Sequence, residues 1–208
     1  MKGTDKVRQM IAQEAARLMY EEGIAEYRDA KRKAAKRFGP EPALSLGSHL
    51  PSNEEIHREL QRLIGIYEGK VLPERLRRLR TIALEKMELF ASFSPLLVGS
   101  VLTGAVTERS DIDLHLFADT PEEVEEHLRE RGIPFDSDTV TIRKGAEFRD
   151  YPHIYLEEEG IVIECTVYSP GERRSPPKSS ITGRAMERAD AKKLRRIIEE
   201  MAGAPPEE

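Results

Sequence analysis

Two aspartates, Asp111 and Asp113, stand two positions apart in "SDIDLHLF", a stretch that alternates like a half-buried strand. On a strand, residues two apart point to the same side, so both carboxylates share a face, with His115 further along it. Bare carboxylates this close repel and one tends to keep a proton, whereas a divalent cation such as Mg²⁺ relieves the repulsion and prefers oxygen ligands. The pair alone says little, because 38 acidic residues in 208 make roughly seven acidic-x-acidic pairs by chance. Order adds to it: an apolar run "PLLV", then Gly99-Ser100, then ten residues, then the aspartates. Glycine lets backbone approach a phosphate where a Cβ would clash, and serine offers a hydroxyl and an N–H to phosphate oxygens. Gly104 can turn the segment back toward the aspartates. The plainer reading is a strand-to-loop turn followed by a solvated strand end, and spacing alone leaves both readings open.

The elements that must position these groups change character along the chain. Apolar Val7, Ile11, Ala15 and Leu18 recur at helical spacing and predict a helix over 5–38, with Gly23 as the point where it bends or breaks. Gly39-Pro40 stops it, and a loop rich in Pro, Ser and Gly runs to Pro51. Ser52 and Glu55 form a capping box for a second helix carrying Ile56, Leu60, Leu63 and Ile64. A third helix follows Pro73, with Leu76, Leu79, Ile82, Ala83 and Leu89. Strands then enter at 95–98, 111–117, 139–143, 153–157 and 161–168, the last two joined by a Glu-Gly turn, with a capped acidic helix over 120–132. The fold class expected is α+β: a helical region over 1–92, a small mixed sheet flanked by helices over 93–170, and over 171–208 a basic loop, a helix starting near Asp190 and a frayed tail.

Composition sets the outer bounds. No apolar run is long enough to span a membrane and no secretory leader is visible, which points to a cytoplasmic protein. The single cysteine, Cys165, forms no internal disulfide and no Cys-rich zinc site, and is expected as a buried thiol. The net charge of −5 argues against a wholly basic nucleic-acid coat. Basic charge is nonetheless concentrated: Arg28, Lys31, Arg32, Lys33, Lys36 and Arg37 face a single Asp29, and 171–196 holds nine Lys/Arg against three Asp/Glu.

Gly99-Ser100, ten residues, then Asp111-Ile112-Asp113 resembles the signature of the DNA polymerase β-like nucleotidyltransferase superfamily, especially its small bacterial members. Gly104 and Ser110 also fall where that family commonly has glycine and serine. The resemblance covers about residues 93–170 and implies a sheet of nucleotidyltransferase type. It implies that Gly99, Ser100 and Gly104 serve a nucleoside triphosphate, and that three carboxylates hold two Mg²⁺ ions, with Mn²⁺ as an alternative. The implied reaction transfers a nucleoside monophosphate to a hydroxyl and releases pyrophosphate. The family's third carboxylate lies on a later apolar strand, and "IVIECTVY" supplies Glu164, whose neighbours Ile163 and Cys165 face the other way. A lone acid there is costly unless paired or metal-bound, so the alternative is a salt bridge to an arginine on a neighbouring strand. Glu157, Glu158 and Glu159 cluster at a turn and are expected to be solvated. His115 is either a partner of the metal ligands or, more plainly, a core or surface histidine. The chain departs from many relatives in having Val101 where they have arginine, which leaves Arg109, Arg143 and Lys144 as candidates for gripping the nucleotide.

The acceptor is less defined. RNA is one candidate, held by the basic helix residues, by Arg75, Arg77, Arg78 and Arg80, and by "RRSPPKSSITGR". The other reading of these charges is a solvated helix face. Other acceptors in the same superfamily are a partner protein that receives AMP, as with antitoxin-like members, and an aminoglycoside. A catalytically idle module that binds RNA or protein is the alternative from a different class. With no tryptophan and few aromatics, extensive base stacking is not expected.

Overall fold

The computed structural model describes residues 3–38, 50–144 and 147–203. Among them are seven α-helices and one five-stranded mixed sheet. No helix of the described residues is long and apolar enough to cross a membrane. The chain divides into two compact units, one of residues 1–72 with 179–184, the other of 73–178 with 185–208.

The first unit contains α1 (Gly3–Glu22), α2 (Tyr27–Ala35) and α3 (Asn53–Glu68). The helical stretch expected over 5–38 breaks at Gly23, the anticipated point, whose φ of 67° lies in the left-handed region that ends helices at glycine. Its core joins Ile11, Ala15, Leu18, Ala30, Ala34, Ile56, Leu60 and Ile64, and the alanines let the helices approach closely. The predicted loop after Gly39 lies outside the described residues apart from its end at 50–51.

At the start of α3 the capping box forms as expected: the Glu55 N–H donates to Ser52 Oγ at 3.2 Å, and the Ser52 N–H to Glu55 Oε2 at 2.6 Å. Arg8 adds a fork onto the same carboxylate at 2.9 and 2.6 Å, and this holds the Glu55 carboxyl down at about 2. A depressed carboxyl stabilises the fold above its ordinary value near 4.5 and loses that contribution as pH falls toward about 2. Glu55→Ala should therefore cost about 1–2 kcal/mol at pH 7 in urea unfolding. The difference from wild type should shrink as the pH is lowered through that window, and a constant difference would sink the assignment.

Most of the basic charge on α2 and just after it is locally engaged. Lys31 reaches Asn53 at 3.0 Å, Arg32 reaches Asp29 at 3.4 Å, Arg37 reaches Glu14 at 2.6 Å, and Lys33 pairs with Glu22. These contacts match the solvated-face reading better than a row of free phosphate ligands.

The second unit holds α4 (Leu72–Leu89, from Pro73 onward), β1 (Leu96–Leu97), α5 (Gly99–Thr103), β2 (Ile112–Phe117), α6 (Pro121–Arg129), β3 (Asp136–Lys144), β4 (Glu147–Glu158), β5 (Ile161–Tyr168) and α7 (Ala191–Gly203). Strand order is β1-β2-β5-β4-β3, and only the β2–β5 pairing is parallel. β3 and β4 are longer than the sequence predicts. Asp136, Asp138, Asp150 and Pro152 all disfavour strands, yet the two strands pair from Asp136 opposite Tyr155 to Lys144 opposite Glu147. β4 meets β5 only from His153 onward, so Pro152 lies where just one neighbour needs ladder bonds. The acidic helix is shorter than 120–132, and Thr120 precedes it in extended conformation without capping it through its side chain.

Alternation sorts the sheet into two faces. Ile112, Leu114, Leu116, Ile163, Cys165 and Ile154 are fully buried on one, as period-two patterning requires. Cys165 is thus the buried thiol expected, and burial pushes its ionisation up. Asp113, His115 and Phe117 point to the opposite face, and the site is built there.

Candidate metal centre

Asp113 on β2 lies directly opposite Glu164 on β5 in the parallel register. Asp111 sits just ahead of β2 rather than within it. One oxygen from each of the three carboxylates lies within 4.8 Å of the other two, so the trio could hold a metal ion. Like charges facing one another across a sheet destabilise it, and partial burial sharpens the penalty. Burial, then the charges of Asp111 and Glu164, push the Asp113 carboxyl up to about 8; Asp111 moves in the same direction, chiefly through burial.

Among the described residues Glu164 has no arginine partner. Its Oε1 lies 2.6 Å from Nδ1 of His153 on β4, close enough for an ion pair but not aligned as a hydrogen bond. Sequence spacing did not single out His153, because its closeness depends on the β4–β5 register, where it stands opposite Thr166. His115 is also opposite Thr166, from the β2 side. It is buried, its ring 4.7 Å from that of Tyr168, and burial with the charges of Arg188 and His153 pushes its pKa down to about 4. At neutral pH it is therefore an uncharged member of the layer beside the carboxylates. Of the three glutamates at the β4–β5 turn, Glu157 is exposed, Glu158 pairs with Lys86 at 2.6 Å and Glu159 with Arg78 at 2.7 Å.

Gly99 opens α5 with a φ of 71°, a conformation that favours glycine. A Cβ here would overlap Asp113 Oδ2 and come within 3.0 Å of its Cγ. The Val98 N–H donates to the Asp113 carbonyl at 3.0 Å, so the turn and the aspartate are locked side by side. Gly99→Ala should cost about 1–3 kcal/mol from backbone strain and displace the carboxylate. Thermal denaturation would read the first effect, and a retained metal-induced shift would argue against the second.

Ser100 is half-buried in the first turn of α5, next to Gly99. Gly104 stands at the other end, with φ of 91°, its N–H donating to Ser100 O at 2.8 Å. It ends the helix, and a Cβ placed there would meet Leu76 at 3.7 Å rather than a carboxylate. Val101 is fully buried, so this position faces the core and not a nucleotide. Arg109 is exposed, and the side chains at 143 and 144 lie outside the described residues.

Arg80 corrects an expectation. Grouped by sequence with cations free to meet phosphates, it is buried in the fold, and its guanidinium donates to Val101 O at 3.0 Å and Leu102 O at 2.9 Å. Those carbonyls belong to the last turn of α5, which five residues could not stabilise alone. Burial lowers the Arg80 pKa. Arg77 and Arg78 are likewise engaged, with Glu74 and Glu159, and Arg75 lies 3.7 Å from Glu108. Arg80→Met should cost about 2–4 kcal/mol, because charge-assisted hydrogen bonds are lost and the carbonyls stay buried. Chemical denaturation within about 0.5 kcal/mol of wild type would contradict the clamp.

The chemistry available is that of clustered oxygen ligands suited to a hard divalent cation, beside the start of α5 with its Ser100 hydroxyl. No family model matches the chain, and no curated protein or solved structure matches it.

Proposed function

We propose that the protein is a metal-dependent nucleotidyltransferase that moves a nucleoside monophosphate from a nucleoside triphosphate to a hydroxyl acceptor. The observation that carries this reading is the meeting of Asp111, Asp113 and Glu164 beside the Gly99-Ser100 helix start. Two Mg²⁺ ions, replaceable by Mn²⁺, would neutralise charge on the departing pyrophosphate and lower the pKa of the acceptor hydroxyl.

Asp111 and Asp113 hold the divalent charge next to the nucleotide, and Glu164 completes the ligand set beside the acceptor. Gly99 keeps the backbone low enough for a phosphate to approach, and Ser100 offers its hydroxyl and N–H. Gly104 acts on the nucleotide only by ending the helix that presents those groups. His115, uncharged at neutral pH, and His153 close one side of the carboxylate layer. No side chain acts as a covalent nucleophile: the acceptor oxygen forms the new bond to the α-phosphorus, and the bond to pyrophosphate breaks.

RNA is the acceptor favoured here. With the α2 cations largely engaged, the basic residues available for it are chiefly those of 171–196. Calorimetry should show ATP binding that requires Mg²⁺ or Mn²⁺, and absence of binding with both metals would sink the enzyme reading. Incubation with α-labelled nucleotides, total RNA and lysate protein should place label in RNA. Label confined to protein would replace the RNA acceptor with a protein one.

A further inference from the structure

Within the second unit, on the carboxylate face of the sheet, lies a separate cavity of about 340 Å³ lined by Leu96, Arg173, Arg174, Arg188, Asp190 and Lys193. Leu96 packs with Phe117, Tyr151 and Tyr168 and stands opposite His115. His115 is two residues along β2 from Asp113, which puts the cavity floor about 7 Å of strand away from the carboxylates.

Four cations line it against one carboxylate, that of Asp190. Among the described residues neither Arg173, Arg174 nor Arg188 has a carboxylate partner. Lys193 pairs with Glu187 at 3.0 Å, and Asp190 is occupied in accepting the Lys193 N–H at 2.7 Å as the cap of α7. The Arg188 guanidinium donates to the Arg173 carbonyl at 2.8 Å, which fixes one edge of its fork and leaves other donors free. Burial, then the neighbouring Arg173, press its pKa downward against a smaller opposing effect of Tyr168. A wider cavity of about 570 Å³ near α6 shows the opposite character, with Asp119, Glu123, Glu126 and Glu130 in its wall.

We propose that the Arg173–Arg174–Arg188 pocket binds a phosphate group. Guanidinium forks match pairs of phosphate oxygens, and three such forks on one concavity suit a multiply charged tetrahedral anion better than a single carboxylate. The group has two sources consistent with the position of the pocket: the outer phosphate of a nucleoside triphosphate, or a phosphate carried by the acceptor. Phosphate capture itself does not depend on the transfer reaction.

The test uses the full chain and inorganic phosphate and pyrophosphate as probes, titrated calorimetrically in chelator so that the carboxylate trio contributes nothing. Binding should be present in wild type, retained in Asp113→Ala, and weakened about tenfold or more in Arg173→Gln and in Arg188→Gln, the loss expected for a charge-assisted contact. Arg173 is exposed, so its replacement leaves the fold intact even where Arg188→Gln does not. No binding of either anion, or binding unchanged in both variants, overturns the pocket. With Mg²⁺ restored, ATP and a 5′-phosphorylated dinucleotide separate the sources: Arg173→Gln weakening ATP assigns the pocket to the triphosphate, and weakening the dinucleotide assigns it to the acceptor. A variant that weakens neither overturns the pocket as a substrate site.

Discussion

Asp113→Ala is expected to abolish metal-dependent nucleotide transfer, lowering turnover by about a thousandfold or more, or about 4 kcal/mol of transition-state stabilisation. Asp113 faces Glu164 across the sheet, shares its ligand space with Asp111, and packs against Gly99. Removing it takes away one carboxylate of the candidate metal centre and also the wall beside the Gly-Ser turn. The conservative Asp113→Asn keeps the volume and so separates the two roles: it should lose metal dependence while keeping the fold. Single-turnover assays with α-labelled ATP decide this, and an Asp113→Asn variant within about tenfold of wild type would refute the assignment.

A second expectation concerns protons. In chelator-treated protein, the Asp113 carboxyl is pushed up to about 8 from its ordinary 3.8. Below about 4 both folded and unfolded chains carry the proton, and this residue adds no pH dependence. Between about 4 and 8 the unfolded chain ionises while the fold retains the proton, so stability falls with rising pH at up to about 1.4 kcal/mol per unit. Asp113→Asn removes that burden and should be more stable than wild type at pH 8, by a margin that vanishes toward pH 4. Adding Mg²⁺ should reverse the order: metal displaces the proton, raises the wild-type melting temperature most at pH 8, and leaves the variant unmoved. Melting curves at several pH values with and without Mg²⁺ test both halves. Equal melting temperatures in chelator at pH 8 would remove the buried-charge argument.

Residues that share one strand were legible from their spacing. Asp113 and His115 point the same way, and Glu164 stood out as one acid in an apolar strand whose neighbours Ile163 and Cys165 are fully buried. The capping box at Ser52 and the break at Gly23 were equally local, and both formed. Contacts that depend on register were not legible. His153 meets Glu164 only because β4 and β5 pair as they do, and Arg80 looked like one more basic residue of an exposed helix until its carbonyl partners were in place. β3 and the first half of β4 were underestimated for a related reason: their aspartates and Pro152 carry poor strand propensity, and pairing with a neighbour overrides it.

The lone parallel pairing in the sheet also bears on how the chain folds. β2 and β5 are separated by about fifty residues, and no hairpin can bring parallel neighbours together. The antiparallel β4–β5 hairpin, closed by Glu159-Gly160, can form early because its contacts are local. Docking β2 alongside it must then bring Asp113 against Glu164, two acids that resist the approach. The order of events this implies is hairpin first and carboxylate trio late. A cation that bridges the trio would speed refolding to the extent that the docking step is rate-limiting, and would slow unfolding to the extent that it is not.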